Sequence, residues 1–453
     1  MNRFLSGFLT AALVAGSMQL PAAGSAATAR LSTLDAAEIQ FAYGKLRSDF
    51  YRRSDPQAIV TGAREQMQKT LREAGVRGIL PPIFALPDPA HTLAALDREV
   101  DVASHLAANK VSSHTLAYAA LDGMLASVHD KYTVFLTPKE YAELNQGLDG
   151  GSFSGTGIVI QIDDASKRIA VSNVVPNGPA DRAGIQQDDV IAAIDGLSTK
   201  GMTLQQASSH LRGKEGSVVS LTIERAGQAL RSPIAITRAL VRQLSVYEKM
   251  LPHKIGYVAL TVFGRETGAE LSAALDRLQQ QGARAIVMDL RDNGGGYLDA
   301  AVAVSSKFIP SGPIVSVESR ASNITTLEAD DTAIDPLPLA VLVNGHTASA
   351  SEITSGAIQD SGAGTIIGTK TFGKGVVQSI WRLPDASAVK ITTARYLTPH
   401  NRDINHIGIT PDIILAENKN PRYGDVARDA QLQRAIALLT EKIARPDATS
   451  AGT

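Results

Sequence analysis

Apolar residues recur at helical spacing through Thr92-Leu93-Ala94-Ala95-Leu96 and through Leu116-Ala117-Tyr118-Ala119-Ala120-Leu121. This predicts a mostly helical region over residues 28–150, split in two by Pro81, Pro82, Pro87 and Pro89. The character changes at Gly150-Gly151. Residues 151–238 carry short β-type runs, among them Ile158-Val159-Ile160-Gln161-Ile162, Val190-Ile191-Ala192-Ala193-Ile194 and Val218-Val219-Ser220-Leu221-Thr222-Ile223. Gly and Asp turns separate them, so a compact, mainly β module is expected, with one helix near Thr203 to Leu211. From Lys254 the pattern alternates. Strand candidates Ile255-Gly256-Tyr257-Val258-Ala259-Leu260, Ala285-Ile286-Val287-Met288-Asp289-Leu290 and Leu339-Ala340-Val341-Leu342-Val343 each lead into a helical stretch. Such alternation predicts βαβ units around a buried sheet, with functional groups gathered at the C-terminal strand ends. Residues 239–420 are read as this α/β core, and residues 421–453 as a closing helix and polar tail.

Composition narrows the function classes. The chain has 44 basic and 45 acidic residues, a net charge of −1, which offers no field for gathering phosphates; nucleic-acid binding is not expected. Cysteine is absent, which excludes disulfides, thiolate metal sites and cysteine nucleophiles. Residues 1–27 read as a signal peptide. Arg3 supplies the positive start, Phe4 to Ala15 the apolar stretch, and Ala22-Ala23-Gly24-Ser25-Ala26-Ala27 the small-residue cleavage zone. Export is therefore expected, in a bacterium to the periplasm; the alternative is an uncleaved N-terminal membrane anchor.

Three loops carry the candidate chemistry. Arg291-Asp292-Asn293-Gly294-Gly295-Gly296 follows a strand, and its glycines would let backbone N–H groups turn toward a ligand, or simply make a tight turn. Thr347-Ala348-Ser349-Ala350-Ser351-Glu352 opens a helix. Unpaired N–H groups there favour a developing negative charge. The same residues, Ser349-x-x-Glu352, also spell a capping box. Thr371-Phe372-Gly373-Lys374-Gly375 holds a lysine that would be an ordinary turn residue if exposed and a general base if buried. His346 lies three residues before Ser349 and reads as a loop residue. Neither a G-x-S-x-G elbow nor a metal-binding His cluster occurs, so no metal or organic cofactor is expected.

Taken together, these loops resemble the active-site signature of the C-terminal processing peptidases. The serine precedes the lysine by 25 positions (374 − 349), and Gln378 lies four beyond it (378 − 374). The resemblance extends from about Leu121 to Asp412, including Gly408-Ile409-Thr410-Pro411-Asp412. It implies an α/β, crotonase-like (ClpP/crotonase-type) protease core with an inserted PDZ domain and an N-terminal helical region. It further implies Ser349 as nucleophile, Lys374 as its base, Gln378 holding the lysine amine, and Gly295 with Ala350 as oxyanion amides, the glycine being uncertain by one position within 294–296.

The β module resembles the family's PDZ domain, with Ser154, Gly155, Thr156, Gly157 and Ile158 at the loop whose amides hold a peptide C-terminal carboxylate. Pro179-Ala180-Asp181-Arg182-Ala183-Gly184-Ile185 matches the following turn and helix, while Asp188-Asp189 stands where Gly-Asp is usual. The expected partners are protein or peptide substrates presented by their C-termini; an adaptor or a second copy of the chain stays open. Two other classes compete. One is a non-catalytic PDZ binding protein on a dead protease core, against which the intact Ser349, Lys374 and Gln378 argue. The other is a small-molecule serine amidase, which would lack the peptide-binding module.

Overall fold

The computed structural model describes residues 31–148, 152–163, 166–175, 178–242, 244–320, 323–418 and 423–444. The expected signal peptide, residues 1–27, lies outside them. Among the described residues, no helix is long and apolar enough to cross a membrane. The described chain divides into two compact units, one of residues 31–40 and 60–124 and the other of residues 41–59 and from 125 onward.

The first unit is helical, drawn from α1 (Thr33–Ser48), α2 (Pro56–Glu73), α3 (Pro89–Ala107) and α4 (Ser113–Ala126). Helix α3 begins where Asp88 accepts a hydrogen bond from the Ala90 N–H and Pro89 occupies the first turn. Its Leu96, Val100, Ala103 and Ala107 are fully buried, one helical face at i, i+4, i+7 and i+11. On α4, Leu116, Ala117, Ala120, Leu121 and Met124 do the same. A Cβ at Gly123 would fall 2.1 Å from the Gly62 carbonyl oxygen, so α2 and α4 meet backbone to backbone there.

The second unit opens with β1 (Val134–Leu136) and α5 (Pro138–Leu148). Next comes the β module: β2 (Ser152–Gly155), β3 (Ile158–Ile162), β4 (Ile169–Val174), α6 (Pro179–Arg182), β5 (Val190–Ile194), β6 (Leu197–Ser198), α7 (Leu204–Leu211), β7 (Val218–Arg225), β8 (Gln228–Ala229), β9 (Ile234–Thr237) and β10 (Ala239–Arg242). Its antiparallel sheet runs β3-β4-β5-β7-β8, with β6 on β5 and β9 on β7. The period-2 residues Val219, Leu221 and Ile223 of β7 point into a core closed by Ala180 and Ile185 on one side and Ala207 and Leu211 of α7 on the other. Asp188 takes a left-handed backbone (φ +72°), as the substitution of Asp for the usual Gly requires. Strands β2 and β10 pair as a separate ribbon where the chain enters and leaves the module.

The remaining chain is the α/β core. It comprises β11 (Val246–Leu251), β12 (Ile255–Leu260), α8 (Thr267–Gln280), β13 (Ala285–Asp289), α9 (Leu298–Ser306), β14 (Pro313–Ser319), β15 (Ile324–Glu328), β16 (Leu339–Val343), α10 (Ala350–Ser361), β17 (Thr365–Gly368), β18 (Val376–Arg382), β19 (Ala388–Leu397), β20 (Ile413–Ile414) and α11 (Ala430–Ala444). The central sheet runs β11-β12-β13-β16-β17-β20, parallel except for β11.

Both faces of the central sheet are covered, and its strands read as unbroken apolar runs for that reason. Leu339, Val341 and Val343 of β16 pack with residues of α8, α9 and α10, while Ala340 and Leu342 pack with Leu432, Ala435 and Leu439 of α11. A second sheet carries β1-β19-β14-β15, with β18 also on β19. Thus Val134–Leu136, expected within the helical region, is a strand paired to Lys390–Ala388 of the core. Three apolar residues are too few for periodicity to separate strand from helix.

Candidate active site

The second candidate loop leaves the end of β16 and turns sharply into α10. Ser349 sits at that turn with φ +58° and ψ −119°, a backbone strained for any residue with a side chain. The strain lifts a half-buried Ser349 between Ala348 and Ala350, both buried. This is the geometry of a nucleophile elbow, reached without the G-x-S-x-G spelling. As the first residue of α10, Ala350 has an amide with no partner inside the helix.

Glu352, wholly buried three residues on, is the organising group. The capping box is present on its side, where the carboxylate accepts the Ser349 N–H at 3.0 Å. The same carboxylate accepts from Thr371 Oγ1 at 2.5 Å, the Gly373 N–H at 2.7 Å and the Lys374 N–H at 2.8 Å. One oxygen, Oε2, receives the amides of both Ser349 and Lys374, which fixes the two loops against each other. Burial raises the Glu352 pKa, opposed by these hydrogen bonds, that of Thr371 foremost. A second tie comes from Tyr396 of β19, whose buried hydroxyl donates to the Ser349 carbonyl at 3.2 Å and also to the Lys374 carbonyl.

Lys374 itself is half-buried, with Nζ 4.9 Å from the centre of the Tyr132 ring. Its pKa is lowered to about 8, first by burial, then by repulsion from Lys390 and Lys131, against the attraction of Glu352 and Asp130. A lysine in that range carries a substantial neutral fraction at mildly alkaline pH and can take up a proton.

The glycine loop is held by Asn293, itself buried. Its amide donates to the Leu260 carbonyl at 2.7 Å, and its backbone carbonyl accepts from the Ala348 N–H and the Ser351 hydroxyl, each at 3.0 Å. The Asn293 Oδ1 accepts the Gly295 N–H at 2.9 Å. That hydrogen bond occupies the amide expected to serve an oxyanion. Gly295 has a different reason to be glycine. At its φ of +95°, a Cβ would lie 2.7 Å from Ser349 Cβ and 2.8 Å from the Ala350 nitrogen. Gln378 also departs from expectation. A bulge between Val377 and Gln378 re-aims the strand; the Gln378 NH2 donates to the Val376 carbonyl and to Thr392 Oγ1, each at 3.4 Å, and no hydrogen bond joins Gln378 to the Lys374 amine.

In the β module, Ser154 and Gly155 are strand residues paired to Leu240 and Ala239, and Thr156 and Gly157 make the turn into Ile158. Gly157 needs its left-handed φ of +77°, and its carbonyl accepts the Val175 N–H at 2.8 Å. Among the described residues, strand β3 is an edge strand that pairs only with β4, and α7 packs beside it.

Sequence reasoning missed Tyr132, Asn293 and Tyr396, and it saw Glu352 only as a cap. The local signal for Glu352 was complete at 349–352; its other donors come from 371–374, a contact no spacing announces.

The strand-to-helix turn of Ser349 and the Lys374 loop are tied to each other through Glu352 and Tyr396 at the end of the parallel sheet. The chain matches peptidase family S41 over residues 254–415 and a PDZ domain over residues 170–225. It is 37% identical over 329 residues to the carboxyl-terminal-processing protease of Picosynechococcus sp., covering 72% of this chain and 79% of that protein. To the chloroplastic C-terminal processing peptidase of Tetradesmus obliquus it is 38% identical over 314 residues, 66% and 68% of the two chains. A structure from Bacteroides fragilis described as an S41 protease shares the fold, with a TM-score of 0.53 at 20% identity over 72% of this chain and 90% of that one. The protein is a serine-type protease with a crotonase-like core, a PDZ domain and a helical N-terminal region. It belongs to the carboxyl-terminal-processing protease family.

Proposed function

We propose that this protein is an exported endopeptidase that cleaves polypeptides near their C-terminal ends through a Ser349–Lys374 dyad, with the PDZ domain taking the substrate's chain end. The observation that carries the dyad is the shared Glu352 carboxylate, which holds the amides of both residues on one oxygen while a lowered pKa readies the lysine. The neutral Lys374 amine takes the proton of the Ser349 hydroxyl as its oxygen attacks the scissile carbonyl. The Ala350 N–H, with Gly294 or Gly296, stabilises the tetrahedral oxyanion. Its collapse breaks the C–N bond, the lysine proton passes to the leaving amine, and water then hydrolyses the acyl-serine.

The PDZ part of the reading rests on the free edge of β3 and on the turn Thr156-Gly157-Ile158 at its start. An extended peptide adding beside β3 would place its terminal carboxylate at that turn. Export rests on the pattern of residues 1–27. N-terminal sequencing of the mature protein tests it, and retention of Met1 in a cytosolic protein would overturn it.

Ser349→Ala should abolish cleavage of an unfolded protein substrate, with a loss of stability no larger than about 1 kcal/mol. A fluorophosphonate probe should label the wild type on Ser349 and leave the variant unlabelled. Turnover retained by the folded variant would sink the nucleophile assignment. An unlabelled, inactive wild type would favour the dead-core binding protein.

A further inference from the structure

Arg291 begins the glycine loop, and its guanidinium is buried. A guanidinium out of water needs acceptors for its N–H groups, and two carboxylates supply most of them. Asp289, the last residue of β13, takes the Nε–H at 2.9 Å and an Nη2–H at 2.5 Å. Asp429, 138 positions along the chain, takes an Nη1–H at 2.9 Å and an Nη2–H at 2.6 Å. Gln431 Oε1 accepts from Nη1 at 3.0 Å, and the Tyr423 ring centre lies 4.0 Å from the guanidinium carbon. Asp289 is local to the loop. The other partners all belong to the segment that leads into α11, whose first turn Asp429 caps by accepting the Leu432 N–H at 3.0 Å.

A second tie runs through Asn344, the buried residue that follows β16 and begins the serine loop. Its Oδ1 accepts the Asp292 N–H at 3.1 Å and the His346 N–H at 3.0 Å. Its NH2 lies 2.8 Å from Asp292 Oδ1, 2.8 Å from Glu417 Oε1 and 3.1 Å from the Tyr423 hydroxyl, which donates to Glu417 at 2.9 Å. The glycine loop and the serine loop are thus both fastened to residues of the 417–431 stretch. Four residues past Arg291, the Gly295 backbone is pressed against Ser349 Cβ and the Ala350 nitrogen. A displacement of Arg291 is therefore passed to the amides around Ser349, where donor position decides how well a developing charge is held.

We propose that Asp429, acting through Arg291, is a positioning residue for the oxyanion-binding amides, which makes the start of α11 part of the catalytic apparatus. The inference rests on the reading of Ser349 as nucleophile.

The test compares two variants of the full-length chain. In Asp429→Ser the serine still caps α11 but cannot give Arg291 two charged oxygens. Leu439→Ala removes a buried contact further along the same helix and leaves the Arg291 hydrogen bonds in place. With Asp429→Ser, kcat on unfolded casein and the rate of fluorophosphonate labelling of Ser349 should each fall at least tenfold, with KM within twofold of wild type. Leu439→Ala should unfold at a lower urea concentration yet keep kcat within threefold. The proposal fails if Asp429→Ser keeps its kcat, if its loss lies in KM, or if Leu439→Ala loses as much activity.

Hydrogen exchange separates this proposal from the proteolytic reading. In the wild type the Asp292, Gly295 and Ala348 amides donate to Asn344, to the Asn293 side chain and to the Asn293 carbonyl. In Asp429→Ser these amides should exchange at least tenfold faster, while those of β12 and β16 keep their rates. In Leu439→Ala the loop amides should exchange as in the wild type. A wild type that neither cleaves nor reacts with the probe fails the proteolytic reading and this proposal with it. An active wild type whose loops exchange no faster in Asp429→Ser fails this proposal alone.

Discussion

Replacing Lys374 by Met keeps the length and apolar stem of the side chain and removes its amine. In the wild type, burial and the nearby Lys390 and Lys131 lower the pKa from 10.5 to about 8. Below pH 8 the folded protein therefore holds an ammonium in surroundings that disfavour it. The ratio of the two ionisation constants sets that cost at about 2–3 kcal/mol, after allowing for a side chain that is only half-buried. The sign follows from proton binding. Between pH 8 and 10.5 the unfolded chain binds more protons at this site than the folded one, so wild-type stability rises with pH across that window.

The Met variant should accordingly be more stable than the wild type by about 2–3 kcal/mol at pH 6, with the gap closing as pH rises from 8 toward 10.5. Urea unfolding followed by the fluorescence of Trp381, the chain's single tryptophan and a residue of β18, reads the core that contains Lys374. The same variant should have no peptidase activity, and wild-type kcat/KM should climb to a plateau with a midpoint of about 8. Equal stabilities at pH 6, or a gap that does not narrow by pH 10, would refute the buried, depressed amine. A rate independent of pH from 6 to 10 would refute its role as base.

Glu352→Gln replaces two accepting oxygens with one oxygen and an NH2 that meets other donors; stability should fall by about 2–4 kcal/mol and cleavage more than tenfold, both checked on one preparation by urea titration and peptide hydrolysis. Gly295→Ala places a methyl 2.7 Å from Ser349 Cβ at a left-handed φ, so activity should drop at least a hundredfold with probe labelling of Ser349 lost. Normal labelling would mean that the loop yields without moving the serine. Amidating the C-terminus of a protein substrate should lower kcat/KM about tenfold through the PDZ domain. Deleting residues 151–238 should erase that difference, and equal rates in the intact enzyme would show that the module does not read chain ends.

The order of elements was legible because burial on two faces leaves a strong mark: Leu339–Val343 and Ala285–Asp289 are apolar at every position but one, and each ends at a loop with chemistry. The candidate serine and lysine were singled out by their 25-residue spacing and flanking glycines, a resemblance and not a deduction from periodicity. What neither pattern nor spacing contains is the set of contacts across sequence. Glu352 meets residues 371–374 only after β17 has crossed back beside β16, and Tyr396 reaches Ser349 from 47 positions away. Tyr132 stands over Lys374 because a three-residue strand, too short to show a period, pairs with β19.

The oxyanion glycine and Gln378 make the same point in the other direction. Asn293 and a bulge redirect the Gly295 amide and the Gln378 side chain, and such local geometry depends on who lies opposite. Sequence alone determined which residues could act, because residue chemistry and hydrophobic period are local properties. Tertiary structure alone decided the lysine's pKa and the donor that each amide meets, because desolvation and hydrogen-bond partnership belong to neighbours in space.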